Sequence, residues 1–155
     1  MDKIPITKTG YQSLKDELAR LKGVERPENI KAIEVARSHG DLSENSEFDA
    51  AKDKQSFLEG RIGELGYKLA NADVIDPAKV PKDVVRFAST VVVENLDSEE
   101  EFQYQVVGPD EADIGKGRIS VSSPLGKALL GKKPGDEAVI QAPGGKRTYE
   151  VVEIL

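Results

Sequence analysis

The sequence predicts an α+β protein: an N-terminal antiparallel coiled-coil hairpin of α-helices, followed by a small antiparallel β-sheet domain with one short helix. Three observations predict this class. Apolar residues in the first half recur at alternating steps of three and four residues. The second half has β-branched, alternating runs separated by turns that contain Pro and Gly. A short polar segment joins the two helical patterns. We therefore expect the hairpin over residues 1–76, a linker over 77–83 and the sheet domain over 84–155.

The bulk composition excludes several classes of protein. The 155 residues carry a net charge of −6, which argues against a broad basic patch, so any nucleic-acid contact is local or shared with a partner. The chain has no Cys, which excludes disulfides and thiolate metal sites. It has no apolar run long enough to span a membrane, and its N-terminus lacks the apolar core of a signal peptide. We expect no membrane partner and a cytoplasmic location.

The first helical arm is predicted from about Tyr11, after an extended lead-in, with Thr7 or Thr9 as its cap. Its apolar stripe begins with Leu14, Leu18 and Leu21. Proline is not tolerated inside a helix, so the residues 26–28 around Pro27 predict a kink or a restart. The stripe then resumes at Ile30, Ile33 and Ala36 or Arg37, and Gly40 ends the arm.

The second arm carries the stronger pattern, a heptad seam over about four repeats. Its positions are Glu44, Phe48, Ala51, Gln55, Leu58, Ile62, Leu65, Leu69 and Ala72. Two such seams joined by a short turn predict an antiparallel coiled coil. Three glycines, Gly60, Gly63 and Gly66, interrupt this arm, and either a close approach of the other helix or local softness would account for them.

The second half predicts five strands, near residues 90–95, 102–107, 118–121, 137–141 and 148–154. Ser123 and Pro124 have the residue types of a helix cap and a first helical position, so a short helix should follow them as far as Gly131.

The turn between the arms, residues 37–48, is dense in charge, and a hairpin tip builds no core. Asp41 and Glu44 have the spacing of a capping box, in which the first caps the second helix and the other reaches back. The same two carboxylates are hard oxygen ligands, too few to hold Mg²⁺ alone but able to complete a site supplied by another molecule. Spacing alone leaves both interpretations open.

Other interpretations of the tip are weaker. A calcium loop is excluded because Ser46 stands where that loop needs Gly and Lys52 where it needs Glu. His39 is the only histidine, so with no Cys it builds no transition-metal site; it is either a polar turn residue or a general base. Arg37 and Lys52 flank the tip and either pair with nearby carboxylates or contact a phosphate backbone.

The tip residues 36–45, Ala-Arg-Ser-His-Gly-Asp-Leu-Ser-Glu-Asn, resemble the tip signature of the bacterial Gre transcript-cleavage factors, with GreA as the nearest branch. The likeness covers the whole chain, including the segments at 26–27, 47–48, 50–52, 59–62, 72–75, 111–114, 119–121, 123–124 and 143–145. It implies a coiled coil followed by an FKBP-like domain. It also implies a partner, bacterial RNA polymerase, and a role in transcription elongation.

In that family the globular domain docks at the rim of the polymerase secondary channel, and the coiled coil carries its tip to the active site. The resemblance implies that Ser122, Ser123 and Pro124 take part in docking. It implies that Asp41 and Glu44 are catalytic and hold Mg²⁺ jointly with the polymerase, so that backtracked nascent RNA is cut near its 3′ end. Arg37 and Lys52 would steady that RNA.

By the same resemblance, the chain is an accessory factor rather than an enzyme, binds no cofactor tightly by itself, and acts as a monomer. Some positions depart from the family pattern. Ser46 stands where Ala is usual and Phe48 where Tyr is frequent, and Gly63 and Gly66 replace better helix formers. These changes bear on a possible hydroxyl contact and on the stiffness of the arm, and they leave the two key carboxylates in place.

Three rival interpretations make different demands on the sequence. An inhibitory relative that enters the same channel would share the fold, but its tip should lack the Asp41 and Glu44 pair. A structural coiled-coil adaptor would use the acidic tip only as a cap. A chaperone or prolyl isomerase needs an apolar pocket lined by aromatic side chains. The C-terminal half offers only Phe87, Phe102, Tyr104 and Tyr149 for such a pocket.

Overall fold

A computed structural model describes residues 3–40 and 45–155. The chain forms two compact units. The helical unit contains residues 11–72, and the sheet unit contains residues 3–10 and 73–155. Each is described by itself below.

The first arm is one helical run, built from α1 (Lys8–Arg20), a π-helical turn (Leu21–Glu25) and α2 (Arg26–Arg37). Its N-terminal cap is Thr7, whose hydroxyl accepts a hydrogen bond from the Gly10 N–H at 3.1 Å. The prediction of Thr7 or Thr9 is thus settled in favour of Thr7, and the helix begins three residues before Tyr11.

The predicted restart around Pro27 is wrong, because the backbone stays helical through Glu25 and Arg26. The irregularity lies directly before the proline: the Arg26 N–H bonds to the carbonyl of Leu21, five residues back. Proline has no N–H, and its ring clashes with the carbonyl four residues earlier in a regular α-helix. The wider π turn gives that ring room without ending the helix.

The π turn adds one residue to the arm, and the buried seam shifts by one position as a consequence. Before the turn the seam contains Leu14 and Leu21; after it the seam contains Asn29, Ile33 and Ala36. The prediction that Ile30 belongs to the seam is wrong, since this side chain is 46% exposed. Asn29 takes its place, and its amide nitrogen donates to the Ala51 carbonyl at 3.0 Å.

The second arm is α3 (Ser46–Ala70), and its predicted seam is confirmed from Phe48 to Leu69, while Glu44 lies outside the described residues. The seam positions from Phe48 to Leu69 are all buried or half-buried, and Leu65 is fully buried. The helix ends before Ala72, which belongs instead to strand β2 (Ala72–Ile75), paired with β1 (Ile4–Thr7).

Two forked ion pairs join the arms. Arg61 donates two hydrogen bonds to Glu17, at 2.8 and 2.9 Å, and Arg26 donates two to Glu59 at the same lengths. The hydrogen bonds that Arg61 donates to Glu17 lower the pKa of Glu17, and the same bonds raise the pKa of Arg61. These contacts fix the alignment of the first arm against α3.

The glycines of α3 have no packing role in the helical unit. A Cβ atom added to Gly60, Gly63 or Gly66 would meet no atom of residues 3–40 or 45–155 within 4 Å. The interpretation of a close helix approach is therefore wrong for all three.

The sheet unit contains a five-stranded sheet with strand order β5-β4-β3-β7-β6. Its strands are β3 (Thr90–Asn95), β4 (Glu100–Val107), β5 (Arg118–Ser120), β6 (Glu137–Ala142) and β7 (Gly145–Ile154). All five predicted strands are present. The sheet is mixed rather than wholly antiparallel, because β5 runs parallel to β4. The connection over residues 108–117, with two 3₁₀ turns, is long enough to bring the chain back for a parallel pairing.

The short helix α4 (Pro124–Leu129) lies where it was predicted, with Ser123 as its cap. Its Leu129 is fully buried with Val91, Val93, Val106 and Val151 in the sheet core.

A buried carboxylate ties β1 to the rest of the sheet unit. Glu111 is 8% exposed and accepts hydrogen bonds from the Thr7 N–H at 3.2 Å, the Thr7 hydroxyl, and the Gly108 N–H at 3.1 Å. Arg118 also donates to it, at 3.2 Å. The carboxylate is thus fully paired, as a buried charge must be.

Candidate functional site

The candidate site is the hairpin tip, residues 37–52. Asp41 and Glu44, the predicted catalytic and metal-binding carboxylates, lie outside the described residues. The structure describes both flanks of that segment. On one side α2 ends at Arg37, and Gly40 has a φ of 108°, a conformation that favours glycine. On the other side α3 begins at Ser46, with Asn45 as its cap.

Asn45 contacts both arms. Its amide oxygen accepts the Phe48 N–H at 3.0 Å, which caps α3. Its amide nitrogen donates to the Ala36 carbonyl at 2.6 Å, in the last turn of α2. The cap of α3 is thus Asn45 rather than Asp41. The contacts of Asp41 and Glu44 lie outside the described residues.

Arg37 and Phe48 also meet across the tip. The Arg37 guanidinium lies over the Phe48 ring, 6.0 Å from its centre, within the range of a cation–π contact. Beside them, Nδ1 of His39 lies 3.6 Å from a carboxylate oxygen of Glu47. Both of these side chains are mostly exposed, so the pair adds little to stability.

The two predicted RNA-contacting cations form no ion pair within residues 3–40 and 45–155. Arg37 has the Phe48 contact just described, and the Lys52 ammonium donates to the Gln55 side chain at 3.0 Å. Their charges are thus not neutralised by the carboxylates that the structure describes.

The described part of the chain holds no cluster of three or more His, Cys, Asp or Glu side chains suited to a metal. The donor chemistry of Asp41 and Glu44, two carboxylates, does suit Mg²⁺, which prefers oxygen ligands. Two such ligands fill only part of its octahedral shell. The two carboxylates therefore suit a Mg²⁺ ion whose remaining ligands come from another molecule.

The predicted docking residues lie at the start of α4. Ser122 and Pro124 are exposed, and the Ser122 hydroxyl lies 2.7 Å from that of Ser120. Ser123 is half-buried; its hydroxyl accepts the Gly126 N–H at 3.1 Å and donates to the Ser120 carbonyl at 2.6 Å. Caps and turns thus hold this segment, which leaves two of its three side chains open to a partner.

Beside this segment lies an apolar groove of about 450 Å³ that sequence reasoning missed. Its lining comes from four separate stretches of the sheet unit and includes Ile114, Ile119, Pro124, Leu125 and Ile140. Ile114 is 69% exposed, a signal visible only once the fold is known. No aromatic side chain lines the groove. It therefore lacks the feature that a prolyl isomerase site requires.

Comparison with known protein families gives a match over nearly the whole chain. A family model described as "Transcription elongation factor, N-terminal" matches residues 4–74, and one described as "Transcription elongation factor, GreA/GreB, C-term" matches residues 80–155. No helix in residues 3–40 or 45–155 has the length and hydrophobicity to cross a membrane.

Individual relatives agree. Transcription elongation factor GreA of Hyphomonas neptunium is 56% identical over 155 residues, covering 100% of this chain and 99% of that protein. The GreA of Halorhodospira halophila is 57% identical over 157 residues, covering 99% and 98%. Among solved structures, GreA factor homolog 1 of Thermus thermophilus is 33% identical over 99% of both chains, with a TM-score of 0.45.

Proposed function

Because the chain belongs to the GreA/GreB family of transcription elongation factors, we propose that it binds bacterial RNA polymerase and stimulates Mg²⁺-dependent cleavage of backtracked nascent RNA. The observation that carries the proposal is the identity of 56% to a curated GreA over the full length of both proteins. The factor would thereby rescue arrested elongation complexes.

The tip chemistry supports this function. Asp41 and Glu44 follow the end of α2 and precede Asn45, the cap of α3. Their carboxylates would bind a metal shared with the polymerase. A bound Mg²⁺ supplies Lewis acidity at the scissile phosphate and lowers the pKa of water. Asp41 and Glu44 would raise its occupancy and orient the attacking water, and orientation of this kind lowers a barrier by several kcal/mol.

Arg37 and Lys52 would bind the RNA backbone on either side of these carboxylates. Both cations lie on helices at the tip, and neither is paired with a described carboxylate. Their local charge accounts for RNA contact by a protein whose net charge is −6. The polymerase would supply the remaining affinity for nucleic acid.

The sheet unit would be the docking domain, FKBP-like in fold, with Ser122, Ser123 and Pro124 at the contact. The proposed functional division is a hairpin over residues 1–76, a linker over 77–83 and a docking domain over 84–155. Residues 3–10 and 73–83 also belong to the compact sheet unit. The factor would act in the cytoplasm, as a monomer and without a membrane partner. It would be no enzyme by itself, since the reacting phosphate and most of the metal shell belong to the polymerase complex.

Transcript cleavage by a stalled, backtracked polymerase complex tests the proposal. We expect the protein to accelerate cleavage with Mg²⁺, and Asp41→Asn and Glu44→Gln to bind polymerase but lose at least about ten-fold in rate, the usual scale for removing a catalytic group. Glu47→Gln is the matched control, because Glu47 is an exposed tip carboxylate outside the pair. Equal rates for all four proteins would overturn the proposal in favour of an adaptor, and slower cleavage with the wild type would favour an inhibitor.

A further inference from the structure

The side chain of Asn45 uses both ends of its amide, each on a different arm of the hairpin. The nitrogen donates to Ala36 at 2.6 Å and the oxygen accepts from Phe48 at 3.0 Å. An amide has one donor end and one acceptor end, so these partners fix its orientation. In the reversed orientation, the amide nitrogen would face the Phe48 N–H and the amide oxygen would face the Ala36 carbonyl, so neither hydrogen bond could form.

The bond to Ala36 is not needed to satisfy that carbonyl. The Ala36 oxygen already accepts the backbone N–H of His39 at 3.2 Å. The contribution of Asn45 is therefore a connection: it ties the last turn of α2 to the first turn of α3. Its half-buried position protects that connection from competing water.

This bridge closes the chain at both ends of the segment that carries the two carboxylates. We propose that Asn45 is a positioning residue for transcript cleavage, which bridges the two arms and so fixes the points from which Asp41 and Glu44 reach the polymerase active site. The inference rests on the proposed function and assigns Asn45 no contact with RNA or metal. A displacement of about 1 Å at a catalytic group can cost on the order of 10²-fold in rate, so a bridge at this place is functionally significant.

Substitutions of Asn45 can remove its bond to Ala36, the bridge, while they keep its bond to the Phe48 N–H, the cap. Ser and Asp cap helices about as well as Asn, because each offers an oxygen to the first-turn N–H groups. Neither can donate to Ala36 from this position: an ionised Asp has only acceptors, and the Ser side chain is too short. Asn45→Asp and Asn45→Ser should therefore keep α3 and lose the bridge.

A matched control lies at the other end of the same helix. Asn71 also donates through its side-chain nitrogen to a backbone carbonyl, that of Tyr67, at 2.8 Å. This bond stays within one arm. Asn71→Ser thus removes a comparable hydrogen bond without opening the tip.

The experiment measures the maximal cleavage rate at saturating factor and the factor concentration that gives half of it. We expect Asn45→Asp and Asn45→Ser to lower the maximal rate about ten-fold or more, with less than about a two-fold change in that concentration, as for any loss of positioning alone. Asn71→Ser should match the wild type. Unchanged maximal rates in both Asn45 variants, or a change confined to the half-saturating concentration, would overturn the inference.

Hydrogen exchange in the free protein supplies a readout that does not depend on cleavage. We expect both Asn45 variants to keep the Phe48 amide protected and to speed exchange at the His39 amide, which bonds to Ala36. Unchanged exchange at His39 would overturn the bridge even if the rates fell. A wild type that fails to stimulate cleavage would instead overturn the proposed function, while the exchange data would still decide whether the bridge exists.

Discussion

At the scale of single residues, the contact between Arg37 and Phe48 links the coiled-coil seam to a charge that we propose contacts RNA. The ring occupies a half-buried seam position, and its face carries the guanidinium at 6.0 Å. An exposed cation–π contact stabilises by about 0.5–1 kcal/mol. The Phe48 ring thus orients the Arg37 guanidinium while it keeps its place in the seam.

We predict that Phe48→Leu lowers the cleavage rate about two- to five-fold, the factor corresponding to that energy. Leu preserves the apolar seam but offers no ring face, whereas Phe48→Tyr keeps the face and should retain the full rate. Single-turnover cleavage rates of the wild type and the two variants measure the effect. If Arg37 acts through this contact, Phe48→Leu should have no further effect in an Arg37→Ala background; a fully additive loss would contradict it.

Gly10 is constrained by Glu111. A Cβ atom at Gly10 would overlap the buried carboxylate, which is held in place by Thr7, Gly108 and Arg118. We predict that Gly10→Ala lowers the free energy of unfolding by about 1–3 kcal/mol, the usual range for overpacking. Urea denaturation measures the change. Gly23→Ala is the control, since no atom lies within 4 Å of its added Cβ; equal stabilities for the two variants would be inconsistent with the clash.

Residue roles were predictable from sequence where the partners are local. The caps Thr7 and Ser123 each bond to an N–H three residues on, so residue type and a following helical pattern suffice. Glu111 was not predictable, because its partner Thr7 is 104 residues away. Asn45 was missed for another reason: Asp41 offers an equally good cap signal, and only the observed start of α3 distinguishes them.

At the scale of elements, α3 carries three glycines that cost helix stability and contact nothing within 4 Å at their missing Cβ atoms. We predict that Gly60→Ala and Gly63→Ala each raise the free energy of unfolding by about 0.5–1 kcal/mol, because Ala has the higher helix propensity. Thermal melts followed by circular dichroism measure this. A destabilising effect would mean that these positions pack against something.

The double variant that combines Gly60→Ala with Gly63→Ala tests the softness interpretation of the glycines. If a soft arm helps the tip reach its target, the stiffened protein should be more stable yet slower in cleavage. Higher stability with an unchanged rate would show that softness has no role in cleavage.

The ion pair between α1 and α3 makes stability depend on pH. The folded-state pKa of Glu17 lies below its ordinary value of 4.5, chiefly because Arg61 donates hydrogen bonds to the carboxylate. The pair therefore stabilises fully above pH 4.5, and this contribution is lost as the pH falls through the folded-state pKa.

We predict that Glu17→Gln lowers the free energy of unfolding by about 1 kcal/mol at neutral pH, the upper range for a partly exposed pair, and by progressively less in acid. Denaturant titrations between pH 3 and 7 test it. Asp16→Asn serves as the comparison, because Asp16 bonds to Gln12 of its own helix. A difference between wild type and Glu17→Gln that stays constant with pH would contradict the prediction.

Secondary structure was predictable wherever the pattern is repeated and local. The five strands follow alternating runs, and α3 follows a heptad seam of several repeats. The two-stranded sheet of β1 and β2 was missed, because each strand has four residues and the whole hairpin separates the two strands along the sequence. The parallel pairing of β5 depends on the path of a connecting loop, which carries no periodic signal.

At the scale of the whole molecule, the proposed function divides the work between two parts. The sheet unit would bind the polymerase, and the hairpin would position the tip carboxylates. The net charge is −6, so the free protein as a whole offers RNA no net electrostatic attraction. We predict no detectable RNA binding by the free factor at micromolar concentration in about 0.15 M salt, because screening limits the attraction of a few local cations to about 8 Å. Fluorescence anisotropy with a labelled RNA measures it; submicromolar affinity without polymerase would contradict the assignment of docking to a protein partner.

The π turn at Leu21–Glu25 amounts to a single inserted residue in an otherwise regular coiled-coil arm. The arm could therefore lose a residue and keep its phase, an edit that would rotate a normal helix by about 100°. Gly23 is the natural position, since it is exposed and has open space around it. A chain that lacks Gly23 and carries Pro27→Ala should keep Leu14 and Ile33 on one seam. The deletion alone would return Pro27 to a regular helix that has no room for its ring, so the inserted residue and the proline are a matched pair in this arm.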